Sequence, residues 1–229
     1  MVLPFLNLYR ILVGVPIALL SLSVHEAAHG WVSYKLGDPT PRAEGRITLN
    51  PMAHLDLMGT ILMALTGFGW AKPVSVNPRY YKNVKTGMAL TALAGPLSNF
   101  LLAFVSVFLS CVLSLIFART GINAGVAKFI DGFLWQLAVT NLSFMVFNLI
   151  PIPPLDGFKV AGIFLPNRIY YNVLRYERYS MILIMVLSLT GALGSVITNG
   201  VALFLRMIYG FFAPAMNSAM LHHRATQAN

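Results

Sequence analysis

The chain has 229 residues, 57% of them hydrophobic and only 10% charged, which is far from the composition of a soluble domain. Its 16 basic and 7 acidic residues give a net charge of +9, but the basic residues are spread over loops and form no stripe interleaved with aromatics, which argues against a nucleic-acid partner. The single cysteine, Cys111, rules out an internal disulfide and reads as a small buried hydrophobe.

In chain order, apolar stretches run over about 8–34, 87–118, 130–150 and 179–214, each long enough for the roughly 20 residues that cross a hydrocarbon core. The last reads as one pass, or as two broken near Gly194 and Ser195. The first lacks a cationic start and runs straight into a histidine motif, so it is expected to be a retained span and not a signal peptide. No linker rich in Gly and Ser, no repeat period and no low-complexity tract interrupts the chain. The expectation is an all-α polytopic protein of the lipid bilayer, with residues 1–229 as one integral-membrane domain. Basic residues crowd the loops at 35–46, 72–85 and 159–178, whereas only Arg119 and Lys128 mark the connection between the second and third long runs. By the positive-inside rule that connection is external and the other loops are cytoplasmic.

The first span ends in SLSVHEAAHGWVSYKLG, residues 21–37. His25 and His29 are four residues apart, about 40° of rotation and 6 Å of rise on a helix, so both imidazoles can reach one metal ion. Glu26 stands beside them. In an HExxH arrangement that glutamate takes a proton from a water whose pKa a zinc ion has lowered. Ionisable groups in a bilayer are costly and mark function by default. With Lys35 at the water boundary, the site lies about 9–15 Å inside the membrane at about 1.5 Å per residue.

Two histidines leave a catalytic zinc site short of a third protein ligand. Among the carboxylates, Asp38 follows Gly37 in a loop, Glu177 lies in the charged run RYERY, and Asp131 reads as a helix cap. Asp156 lies in NLIPIPPLDG, where Pro151, Pro153 and Pro154 must break the third span. Broken backbone at membrane depth is tolerated only against protein or a water-filled cavity, so this break suggests a site wall. His54, 25 residues after His29, is the other candidate ligand, or else an accessory residue that bonds loop backbone or orients a substrate. Asn141 and Asn148, two turns apart, share one face of the third span.

The run LDLMGTILMALTGFGW, residues 55–70, is too short and glycine-rich for a full span and suits a re-entrant segment. If it crossed, Asp156 would arrive at the membrane face opposite His25 and His29. RITLN and KPVSV, within the region 42–81, alternate like strands and suggest a small β-hairpin beside the site, either structural or an edge for an extended substrate.

HEAAH at 25–29, AGPLSN at 94–99 and FNLIPIPPLDG at 147–157 together resemble the site-2 protease family, zinc metalloproteases that cleave membrane-embedded substrates. The resemblance implies a core of three transmembrane helices, here 8–34, 87–118 and 130–150. It implies zinc held by His25, His29 and Asp156, with Glu26 as general base. Asn148 would lie near the catalytic centre, where its amide could bind substrate backbone or a developing oxyanion. Asn141 and Asn99 are candidates for substrate binding or for bonding between helices. Many family members carry a PDZ or CBS domain, for which 229 residues leave no room, so recognition would use the membrane domain or a regulatory membrane partner. The expected activity is an intramembrane zinc endopeptidase acting on transmembrane proteins or peptides from the cytoplasmic side of a cell membrane. A membrane metal transporter and a silent scaffold are the alternatives, the first disfavoured by the lack of an internal repeat.

Overall fold

The computed structural model describes residues 10–66 and 69–227. Positions 8 and 9 of the first expected span, and Gly67 and Phe68 of the short apolar run, lie outside them. A π-helical turn, Arg10–Gly14, leads into α1, Val15–Lys35, with Pro16 in its first turn, where the missing N–H removes no helical bond. Two single turns follow, α2 at Thr40–Ala43 and α3 at Pro51–His54, then α4 at Leu57–Thr66. A 3₁₀ turn at Pro78–Tyr80 precedes α5, Val84–Thr120, and α6, Ala124–Asn148. The chain ends in α7 at Asp156–Ala161, α8 at Asn167–Leu174, α9 at Glu177–Leu189 and α10 at Ala192–Gln227.

Among the described residues, four helices are long and apolar enough to cross a bilayer: Leu12–Lys35, Val84–Phe117, Ala124–Asn148 and Ala192–Pro214. The protein is therefore an all-α, multi-pass membrane protein. Helix α4 has 10 residues, about 15 Å of rise and half a hydrocarbon core. Helix α9, with 13 residues, is also too short to cross alone. The break before α10 falls at Gly191, whose φ of +77° suits glycine, and not at Gly194 and Ser195.

Asparagine side chains start several helices by accepting a backbone N–H, as Asn50 does for α3, Asn83 for α5 and Asn123 for α6. Asn123 corrects the reading of Asp131 as a cap. Helix α6 begins seven residues earlier, and Asp131 lies inside it, accepting from the Ser110 hydroxyl of α5.

Helix α1 packs on both α5 and α6. Small side chains let α5 and α6 approach: Ala103, Cys111 and Ala138 join Val107, Leu142 and Met145 in a buried cluster closed by Val201 and Ile208 of α10.

The β-hairpin is not formed. Among the described residues none is in a strand, and RITLN and KPVSV are irregular backbone. Their hydrogen-bonding groups are claimed elsewhere: Lys72 N–H donates to the His54 carbonyl and Val74 N–H to Glu26, while Pro73 has no N–H to give. A ladder between the two segments therefore has too few free donors.

Candidate metal centre

Two helices, α1 and α7, deliver the three expected ligands to one point. His25 and His29, one turn apart on α1, direct their Nε2 atoms inward, 2.9 Å from each other. Asp156, the first residue of α7, places Oδ2 3.2 Å from His25 Nε2 and 3.1 Å from His29 Nε2. All three side chains are buried, and they are the group among the described residues able to share one metal ion.

The Thr91 carbonyl of α5 accepts from His29 Nδ1 at 2.7 Å. A carbonyl can only accept, so Nδ1 carries the hydrogen, and in the neutral ring Nε2 offers a bare lone pair to the site. That lone pair faces a carboxylate oxygen and a second imidazole nitrogen, an arrangement that a cation between them satisfies. The separations of 2.9–3.2 Å are near the edge of roughly 3.3 Å in a tetrahedron with metal bonds of about 2.0–2.1 Å. Two imidazoles and a carboxylate with a buried, oriented second partner thus fit zinc.

Gly95 of α5 is the cradle. A Cβ there would lie 2.5 Å from His25 Cε1 and Nε2 and 2.5 Å from His29 Cε1, so any side chain would push into both rings. Pro96 follows and leaves the Ala92 carbonyl without a helical partner, one residue beyond the carbonyl that holds His29. On the other side, Gly157 lets α7 start against the end of α6. A Cβ at 157 would meet the Leu149 carbonyl oxygen at 2.2 Å and that of Ile150 at 2.6 Å.

Glu26 is half-buried beside the ligands, and one carboxylate oxygen accepts Val74 N–H at 2.9 Å. Lys159, one turn along α7, brings Nζ to 3.3 Å from Asp156 Oδ1, the oxygen turned away from the histidines. These groups sit at one end of a cavity of about 880 Å³ that continues between α1 and α6 towards Ile184 of α9 and Leu193 and Ile197 of α10. Helix α6 turns Gln136, Thr140, Ser143 and Asn148 towards it in an otherwise apolar wall.

The remaining expected residues separate. Asn148 lines the cavity, with Nδ2 donating to the Phe144 carbonyl. Asn141 is fully buried and bonds α6 to α1 through Ser21 Oγ at 2.9 Å. Asn99 is fully buried, one turn along α5 from Gly95. Neither belongs to the cavity wall, and the Asn141 bond is of the kind that joins helices. His54 is buried in the connecting region, its Nε2 2.9 Å from the Thr48 carbonyl, outside the metal group. Gly95, Thr91, Val74 and Lys159 were not assigned roles from sequence. The GP step inside an apolar span is a usable signal for Gly95, whereas Thr91 and Val74 act through backbone atoms and leave no trace in residue type.

Comparison with curated proteins gives 38% identity over 174 residues to "Putative zinc metalloprotease YwhC" of Bacillus subtilis, covering 75% of this chain and 78% of that one. The chain belongs to the site-2 protease family. Proteins named "Putative zinc metalloprotease Rip2" are also similar. The one from Mycolicibacterium smegmatis is 28% identical over 85% of this chain and 70% of its own length. The one from Mycobacterium tuberculosis H37Rv is 28% identical over 76% and 66%. No family model matches the chain, and no solved structure matches it. Membership of this family of zinc metalloproteases gives the chain Zn²⁺ as cofactor, in agreement with the donor set.

Proposed function

We propose that the chain is an intramembrane zinc endopeptidase that hydrolyses peptide bonds in or near transmembrane segments of membrane-protein substrates, as a step of regulated intramembrane proteolysis. The observation that carries this reading is the convergence of His25, His29 and Asp156, with Glu26 beside them, at the end of a largely apolar cavity bounded by membrane-length helices.

In this reading His25, His29 and Asp156 hold the zinc, which supplies the positive charge that acidifies water and polarises a carbonyl. The Val74 amide fixes one oxygen of Glu26, and the carboxylate takes the proton of the attacking water as the new C–O bond forms. Glu26 then returns that proton to the amide nitrogen as the C–N bond breaks, leaving a carboxylic acid and an amine, between which the water's second proton redistributes. Asn148 keeps its amide oxygen and one N–H for the backbone of an unwound substrate. The irregular segment 71–76 lines the same cavity through Ala71, Pro73, Val74 and Val76 and forms a wall along which an extended peptide would lie. The apolar walls accept the flanking side chains and keep bulk water out.

The basic connecting segments and the metal centre are assigned to the cytoplasmic side, with α4 as a re-entrant element. Purified protein incubated with a transmembrane peptide should cleave it, and chelation should stop cleavage. Intact peptide under all conditions would refute the reading. Membrane-impermeant labelling should reach cysteines placed at 35–53 and 72–86 from the cytoplasm, and those at 119–128 only from outside. Labelling of the first two segments from opposite sides would refute the re-entrant assignment.

A further inference from the structure

Asp38 is fully buried in the loop after α1, and neither the metal centre nor the cavity uses it. Its Oδ2 accepts Ser33 Oγ–H at 2.8 Å and Asn77 N–H at 2.7 Å, and its Oδ1 accepts Thr40 N–H at 3.0 Å. Burial pushes its carboxyl up, but the bonds from Asn77, Thr40 and Ser33 outweigh that and hold it below the usual carboxylate range. A carboxylate only accepts, which fixes the direction of the neighbouring bonds. Ser33 donates to Asp38, so Tyr81 Oη donates to Ser33 at 2.7 Å, and Thr91 Oγ1 donates to Tyr81 at 3.1 Å.

The bond to Asn77 reaches the site by a short route. Asn77 is three residues after Val74, whose amide holds Glu26. Between those anchors the chain lies along α1, with Val74 Cγ1 3.4 Å from the position a Cβ on Gly30 would take. Two carboxylates at the two ends of this stretch, Glu26 within α1 and Asp38 just past it, therefore clamp residues 74–77. No strand partner holds the stretch in register.

We propose that Asp38 is a positioning residue for the reaction: by holding the Asn77 amide it fixes residues 74–77 along α1 and keeps the Val74 N–H on Glu26. The proposal rests on the proton-transfer role assigned to Glu26. Asp38→Ala removes both acceptor oxygens. Asp38→Asn keeps one, which can still face Ser33 and Asn77. Tyr81→Phe disturbs the same buried network without touching Asn77.

The test measures turnover of a transmembrane peptide, bound zinc, and hydrogen exchange of residues 72–77 by mass spectrometry on the full chain. In Asp38→Ala, kcat should fall about 10- to 100-fold with KM within about twofold, as for a displaced catalytic group. Zinc should stay at the wild-type stoichiometry, and exchange should rise over 72–77 without rising in α5 and α6. Asp38→Asn should restore most of both turnover and protection, and Tyr81→Phe should keep both. A fall in kcat without faster exchange over 72–77 would overturn the proposal. So would faster exchange with unchanged kcat, or an equal loss in Tyr81→Phe. Should Asp38→Ala fail to fold, the same pairing of kcat with exchange is read on Asp38→Asn, where smaller but parallel changes support the proposal and unpaired ones overturn it. A wild-type chain that cleaves nothing refutes the protease reading instead, and exchange over 72–77 in the variants still reports on the clamp.

Discussion

The three packed helices α1, α5 and α6 and the connecting region 36–83 contribute to the same site in different ways. The helices present ligands by periodicity: His25 and His29 are one turn apart, and Gly95 lies where α5 meets both rings. The connecting region contributes mainly backbone, with Val74 N–H on Glu26 and Asn77 N–H on Asp38. Individual hydrogen bonds to the carboxylates of Glu26 and Asp38 hold it against α1, with no ladder among the described residues. The lesson is that the candidate metal group comes from helix periodicity, while the hydrogen bond that holds Glu26 comes from the connecting region.

Substitutions can break or sharpen that division. The largest effect is expected of Asp156→Ala, which should remove bound zinc and all cleavage, read by metal analysis and peptide digestion. Glu26→Gln should keep zinc and fold but lower turnover by a factor on the order of 10²–10⁴, the usual worth of a positioned acid–base group. Comparable turnover in that variant would reject the role of Glu26. Gly95→Ala should weaken zinc binding by about 10- to 100-fold, as loss of ligand orientation does. An unchanged affinity would mean that α5 recedes without disturbing the rings.

The connecting region should respond differently. His54→Ala removes the bond to Thr48 and should cost about 1–2 kcal/mol of stability, with zinc retained and at most part of the activity lost. Zinc lost in His54→Ala but kept in Asp156→Ala would invert the whole assignment. The smallest effect is expected of strong acid. Asp38 has a folded-state pKa below its unfolded value, so its contribution is complete at neutral pH. It is lost as the pH falls below about 4 and through the folded pKa. Hydrogen exchange over 72–77 should then rise before it rises in α5 and α6.

Much of the helical core was legible because composition and periodicity carry it. The expected spans at 8–34 and 87–118 agree closely with the helices at Leu12–Lys35 and Val84–Phe117. The third was placed six residues late because the start of α6, AGVAKF, is not strongly apolar, and its cap is Asn123, not the charged Asp131. HEAAH and LDG bring His25, His29 and Asp156 forward through residue type, helical spacing, the proline break before Asp156 and the resemblance these motifs carry. The β-hairpin was misjudged because alternation in RITLN and KPVSV says nothing of where each N–H finds its acceptor. Asp38 reads as a loop residue from sequence, since its burial depends on Asn77 folding back from 39 positions away.

The close approach at Gly157 has a mechanical consequence. Asn148 ends α6 and Asp156 begins α7, and the contact of Gly157 with the Leu149 and Ile150 carbonyls leaves no slack between the two ends. Close-packed backbone transmits displacement and does not absorb it. A displacement at Asn148 therefore reaches Asp156 as well, so that the cavity wall and the candidate metal group shift as one rigid elbow.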